Sequence, residues 1–132
     1  MRCLNETGFL HNRLRMVVAS FLVKNLHVNW KEGEKYFSNK LIDIDRVINS
    51  GNWQNISSVA KHSQPYFRVF NPWIQSKKYD KDCIFIKKWI PELKEVPAKD
   101  IHKWGEKYCE YKTYIKPIVD TQKTAKEFVS QF

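Results

Sequence analysis

In the stretch HNRLRMVVAS, Asn12, Arg15, Met16 and Ala19 recur at steps of three and four, which places them on one face of a helix with Arg13 to the side. Further along, Asp45, Asn49 and Trp53 fall at i, i+4 and i+8, so a carboxylate, an amide and an indole share a second helix face. Asp43 stands two residues before Asp45, about 200° around a helix of 3.6 residues per turn. The two carboxylates therefore cannot serve one spot unless the helix begins between them, and Asp43 is free to meet an arginine from a neighbouring element. This is dense hydrogen-bonding and ion-pairing capacity, and it runs straight into the apolar stretch VVASFLV. By spacing alone the plainer assignment weighs more: Arg13 and Arg15 as solvated charge, Asp43 as a helix cap and Trp53 as core.

The elements that must carry these residues read as helices. Leu10, Leu14, Val17, Val18, Phe21 and Leu22 follow helical spacing up to a polar break after Asn25. EGEKYFSNKLI predicts a second helix, and DIDRVINSGNWQNI a third with Ser50-Gly51 as its weak point. Residues 61–72, bounded by prolines, read as a surface loop. DKDCIFIKKWIPEL predicts a helix with Asp at its N-cap and a stop near Pro91. AKDIHKWGEKY predicts one more helix, and a last one starts near Thr121. Alternating apolar runs and hairpin dipeptides are absent, so the expected fold class is an all-α domain covering residues 1–132.

Composition narrows the function classes. With 132 residues, 42% apolar and 14% aromatic, the chain has the make-up of one globular domain rather than a disordered segment. Its longest apolar run, Met16 to Val23, is far short of a membrane span, so the expectation is a soluble intracellular protein with no membrane partner. Cys3, Cys83 and Cys109 form no CxxC pair and no metal-ligand spacing, so no metal site is expected and three free thiols are. A net charge of +9 points to a polyanion as partner. Eighteen Lys against five Arg, with nine Asn, is also what AT-rich coding produces.

Five stretches in order, TGFLHNRLRM, WKEGEKYF, LIDIDRVINSGNWQN, PYFRVFNP and WIPELKEVP, resemble the C-terminal part of the FAD-binding domain of the photolyase and cryptochrome family, above all the cyclobutane pyrimidine dimer photolyases. The likeness runs from about Asn5 to about Pro97 and more loosely to YIKPIVD. It implies an FAD cofactor and light-driven repair of pyrimidine dimers in DNA. It implies that Asn12 and Arg15 lie against the flavin, that Arg15 pairs with Asp43, that Asp45 hydrogen-bonds the cofactor and that Asn49 faces flavin N5. An amide suits that place because its carbonyl accepts from N5–H without adding charge. Trp53 and Trp30 match the inner members of the tryptophan chain that photoreduces the flavin. Asn12 and Met16 would contact a flipped-out dimer, and Arg13 and Arg68 the DNA phosphates.

Two departures bear on the lesion. Phe9 replaces the Trp of TGWMHNR, and Asn55 replaces the second Trp of GGWQW, removing a stacking plane of a kind worth about 1–3 kcal/mol per base. A larger departure is length. Family members are several times longer, and Met1-Arg2 corresponds to the middle of one of their helices, so the resemblance implies a truncated or split member. It lacks the upstream phosphate-binding loop for FAD and the outer tryptophan, and is expected to be inactive unless a separately encoded N-terminal fragment supplies them. The alternatives are a small basic DNA-binding module, an inactive remnant without cofactor, or a fragment of a cryptochrome-like light sensor.

Overall fold

The structure, a computed structural model, describes residues 1–61 and 69–131. Every element among them is helical. They form two compact units, Met1–Phe70 with Thr121–Phe132, and Asn71–Asp120. Most of the buried apolar side chains fall in two clusters, one in each unit.

In the first unit, α1 (Arg2–Thr7) ends at Gly8, whose φ of 70° lies in the left-handed region. A Cβ there would stand 2.6 Å from Ile42 Cγ2, so glycine is required both for the turn and for the close approach of Ile42. The turn leads into α2 (Asn12–Ser20), where the His11 side chain accepts from the Arg13 backbone N–H and caps the helix. This accounts for the polar opening of TGFLHNRLRM: Gly8 turns the chain, His11 caps, and the residues after it form the helix face. A π-helical turn, Phe21–Asn25, continues α2 and buries Asn25, whose amide donates to the Thr121 carbonyl and Thr124 Oγ1 of α9 (Thr121–Ser130).

α3 (Trp30–Lys40) packs against α4 (Arg46–Ile56). α4 does not start at Asp43 as its residues predict. Asp45 is the N-cap and its Oδ1 accepts from the N–H groups of Val47 and Ile48, so the helix begins between the two carboxylates. The helix also runs through Ser50 and Gly51 without a break, because packing of Asn49 and Trp53 on α3 outweighs a propensity cost of about 1 kcal/mol.

The second unit holds α5 (Pro72–Tyr79), α6 (Ile84–Trp89), a 3₁₀ turn at Pro91–Leu93, α7 (Ala98–Ile101) and α8 (Trp104–Tyr111). Most of the loop expected over 61–72 lies outside the described residues, and Pro72 is expected to close it. It is instead the first residue of α5, capped by Asn71, which accepts from the N–H groups of Trp73 and Ile74. Asp80 serves the start of α6 from a distance, its carboxylate accepting from the N–H groups of Phe85 and Ile86, while Cys83 occupies the cap position at φ 55°. The single helix expected over AKDIHKWGEKY is two, broken at Lys103.

Cys83 is fully buried, with its Sγ 3.4 Å from His102 Nε2. That nitrogen also lies 2.8 Å from the Lys81 carbonyl oxygen, which only accepts, so Nε2 carries the proton and Nδ1 accepts from the Ser76 hydroxyl at 2.9 Å. With its proton directed to the Lys81 carbonyl, Nε2 has no lone pair to take the thiol proton, and the pair is a packing contact rather than a nucleophile and its base. Burial, reinforced by Asp80, pushes the Cys83 thiol up from its ordinary 9.0 to about 11. Exposed Cys109 should therefore react promptly with a disulfide reagent at neutral pH, and Cys83 only on unfolding. Because the folded thiol holds its proton more tightly than the unfolded one, its contribution to stability is intact below pH 9.0 and is lost as pH rises towards about 11. A Cys83 that reacts as fast as Cys109 in the native chain would contradict this packing.

Candidate functional site

α2, α4 and the segment 41–45 line an open cavity of about 330 Å³. Asn12, Arg15, Met16 and Ala19 line it from α2, and Asn49, Asn52, Trp53, Asn55 and Ile56 from α4. Asp43, Ile44 and Asp45 line it from the connecting segment, so the two helix faces legible in the sequence meet across one space.

Arg15 is held on three sides. Its Nη2 donates to both carboxylate oxygens of Asp43, at 3.1 and 3.0 Å. Its Nε donates to the Leu10 carbonyl, and its guanidinium carbon lies 5.5 Å from the centre of the Phe9 ring. The two Nη1 protons are left for a ligand. The pair is not deeply buried, with side chains 23% and 48% exposed for Arg15 and Asp43, so in this chain it adds about 0–1 kcal/mol to stability and acts mainly to orient the guanidinium. Asp45 reaches the same cavity with Oδ1 committed to capping α4, which leaves Oδ2 for a ligand.

Asn49 is buried, and its Nδ2 donates to the Glu34 carbonyl and to Ser38 Oγ, both at 3.1 Å. The Glu34 carbonyl can only accept, so chemistry assigns the amide nitrogen to that side and leaves Oδ1 as the group Asn49 presents to the cavity. Trp53, one turn on, is 2% exposed. Phe37 meets it edge-on, with ring centres 5.0 Å apart at 72°. Its six-membered ring lies against the Cα of Gly33, where a side chain of any size would overlap three ring carbons.

The remaining sequence candidates are placed differently. Trp30 does not line the cavity; it packs, half-buried, against the core at the start of α3. Arg13 is half-buried on the flank of α2 and outside the cavity lining. Arg68 lies outside the described residues. Gly33, Phe37 and Ser38 also belong to the site, though no motif in the sequence marks them as site residues. A helical i, i+4 step links Gly33 to Phe37, but nothing local in α3 shows which residue of α4 lies opposite.

Among the described residues no group of His, Cys, Asp and Glu could hold a metal ion, and no helix is long and apolar enough to cross a membrane. The sequence pattern described as the FAD binding domain of DNA photolyase matches residues 1–132. The chain belongs to this photolyase family. It is 50% identical to the deoxyribodipyrimidine photo-lyase of Escherichia coli over 123 residues, 91% of this chain and 26% of that protein. It is 56% identical to that of Buchnera aphidicola subsp. Baizongia pistaciae over 102 residues, 77% of this chain and 21% of the relative. The photolyase of Sulfolobus tokodaii, solved with two FAD molecules, superposes with a TM-score of 0.91 at 46% identity over 99% of this chain and 30% of its own. A Synechocystis cryptochrome superposes at 0.88 with 36% identity, over 97% and 28%. The chain thus spans about a quarter of the length of the curated photolyases it matches. The all-helical fold is that of the family's FAD-binding domain.

Proposed function

We propose that this chain forms one wall of the flavin site of a photolyase that uses light to repair pyrimidine dimers in DNA. The observation that carries the reading is the convergence of Arg15, Asp43, Asp45, Asn49 and Trp53 on one cavity. Its donor set fits an isoalloxazine: a cation and amides for the polar edge, and Met16, Ile44, Ile48 and Trp53 as apolar walls. Bound FAD would supply one-electron chemistry driven by light. Arg15, clamped by Asp43, offers two directed protons to the ring edge. Asn49 offers a neutral acceptor. Trp53, sealed by Phe37 and Gly33, is an oxidisable indole shielded from water, with Trp30 on the neighbouring helix as the next donor outward.

Asn12 and Met16, which line the cavity from one face of α2, would meet an extruded base in this reading, and Arg13, Arg68 and the +9 charge favour a polyanion. Asn55, in the cavity lining, offers an amide where the family resemblance implies an indole, so weaker packing on the lesion is expected. The remaining walls of the flavin site, on the same chain or on a separate one, are required partners in this reading, since cofactor sites enclose most of their ligand's surface.

The test is to add FAD to the chain alone and to the chain mixed with the remaining flavin-domain residues of the Escherichia coli photolyase, then record visible absorption after gel filtration. Retained flavin is expected for the mixture only. A mixture that holds no FAD would count against the flavin wall, and stoichiometric FAD on the chain alone would overturn the need for a partner.

A further inference from the structure

Glu34 and Ser38 are one helical turn apart on α3, and between them they take both protons of the Asn49 amide. The two acceptors do different work. Against the Glu34 carbonyl the amide cannot turn over, because two oxygens without a proton would face each other at about hydrogen-bond distance. The Ser38 hydroxyl accepts the second proton, which would otherwise be left unsatisfied in a residue 7% exposed and would draw the NH₂ group towards the cavity. We propose that Ser38 is a positioning residue for Asn49: by accepting this proton it makes Asn49 a pure hydrogen-bond acceptor on the cavity side.

This rests on reading the cavity as a flavin site, and it adds a consequence there. Oxidised flavin has only a lone pair at N5, which a carbonyl oxygen repels, whereas reduced flavin has an N–H that the same oxygen accepts. An acceptor locked in place therefore favours the reduced ring and raises its midpoint potential.

Two measurements test the proposal. In the 132-residue chain, exchange of the Asn49 Nδ2 protons by ¹⁵N NMR should become about fivefold faster in Ser38→Ala, as for loss of one neutral hydrogen bond, and should recover in Ser38→Thr. In the FAD-loaded assembly, Ser38→Ala should lower the flavin midpoint potential, and Ser38→Thr should restore it. Unchanged exchange overturns the positioning role. Faster exchange with an unchanged potential overturns its reach to the flavin, while retained FAD leaves the flavin site itself standing. A wild-type assembly without FAD is a failure of that site, and the exchange result still decides what Ser38 does. If Ser38→Ala loses its fold, Ser38→Val against Ser38→Thr makes the same comparison at equal volume.

Discussion

Gly33→Ala should destabilise the chain by about 3 kcal/mol, at the upper end of the cost of overfilling a packed core. The expectation runs against helix propensity, which favours alanine by about 1 kcal/mol in a helix interior. What reverses the sign is the Trp53 ring, which lies against the Gly33 Cα and is held from the side by Phe37. A new methyl group has helix backbone behind it and a fully packed indole in front. The helices must separate, or Trp53 must leave its place. Gly51→Ala is the matched control, because that glycine sits in the exposed middle of α4 with nothing within 4 Å of an added Cβ. It should stabilise by about 0.5–1 kcal/mol. Urea midpoints followed by far-ultraviolet circular dichroism measure both. A Gly33→Ala chain as stable as wild type would mean that α3 and α4 do not pack in this register.

The second large effect concerns binding. Arg15→Ala should weaken FAD retention by the completed flavin domain by about 10- to 100-fold, the range for losing a charged hydrogen-bond donor worth about 1.5–3 kcal/mol. Asp43→Ala should produce part of that loss, because Arg15 keeps its charge and its bond to the Leu10 carbonyl but loses the partner that aims Nη2. In the chain alone both substitutions should change the unfolding free energy by about 0–1 kcal/mol, since Asp43 is half exposed. Arg13→Ala, outside the cavity, should spare flavin retention and reduce DNA binding at low salt. Fluorescence titration of FAD and salt-dependent DNA binding separate the two arginines. Equal loss of FAD in Arg13→Ala and Arg15→Ala would sink the assignment.

Much of this architecture is written in local patterns. Helix period follows from backbone geometry, which each segment carries by itself, so the faces holding Asn12, Arg15 and Met16, and Asn49 and Trp53, are legible before any packing is known. The order of the five motif blocks carries the family for the same reason, since it needs no three-dimensional information. Boundaries are less legible. Asp43 and Asp45 are both able to cap, and α4 begins after Asp45 because its carboxylate reaches two backbone N–H groups there and leaves Asp43 for Arg15. Pro72 reads as the end of a loop, and only the Asn71 cap shows that it starts a helix.

The family resemblance implies the pairing of Arg15 with Asp43, which the structure holds at 3.0–3.1 Å, whereas Asn49 with Ser38 and Trp53 with Gly33 in the site, and Cys83 with His102 in the second unit, came only from tertiary structure. Each joins residues from different elements, and the rotation and axial register of one helix on another depend on how whole side chains interlock. A shift by one residue would turn each helix face by about 100° and bring different partners together. The sequence by itself determined which side chains share a helix face. Packing alone decided which faces meet, because that choice is made by the fit of two surfaces and not by the period of either.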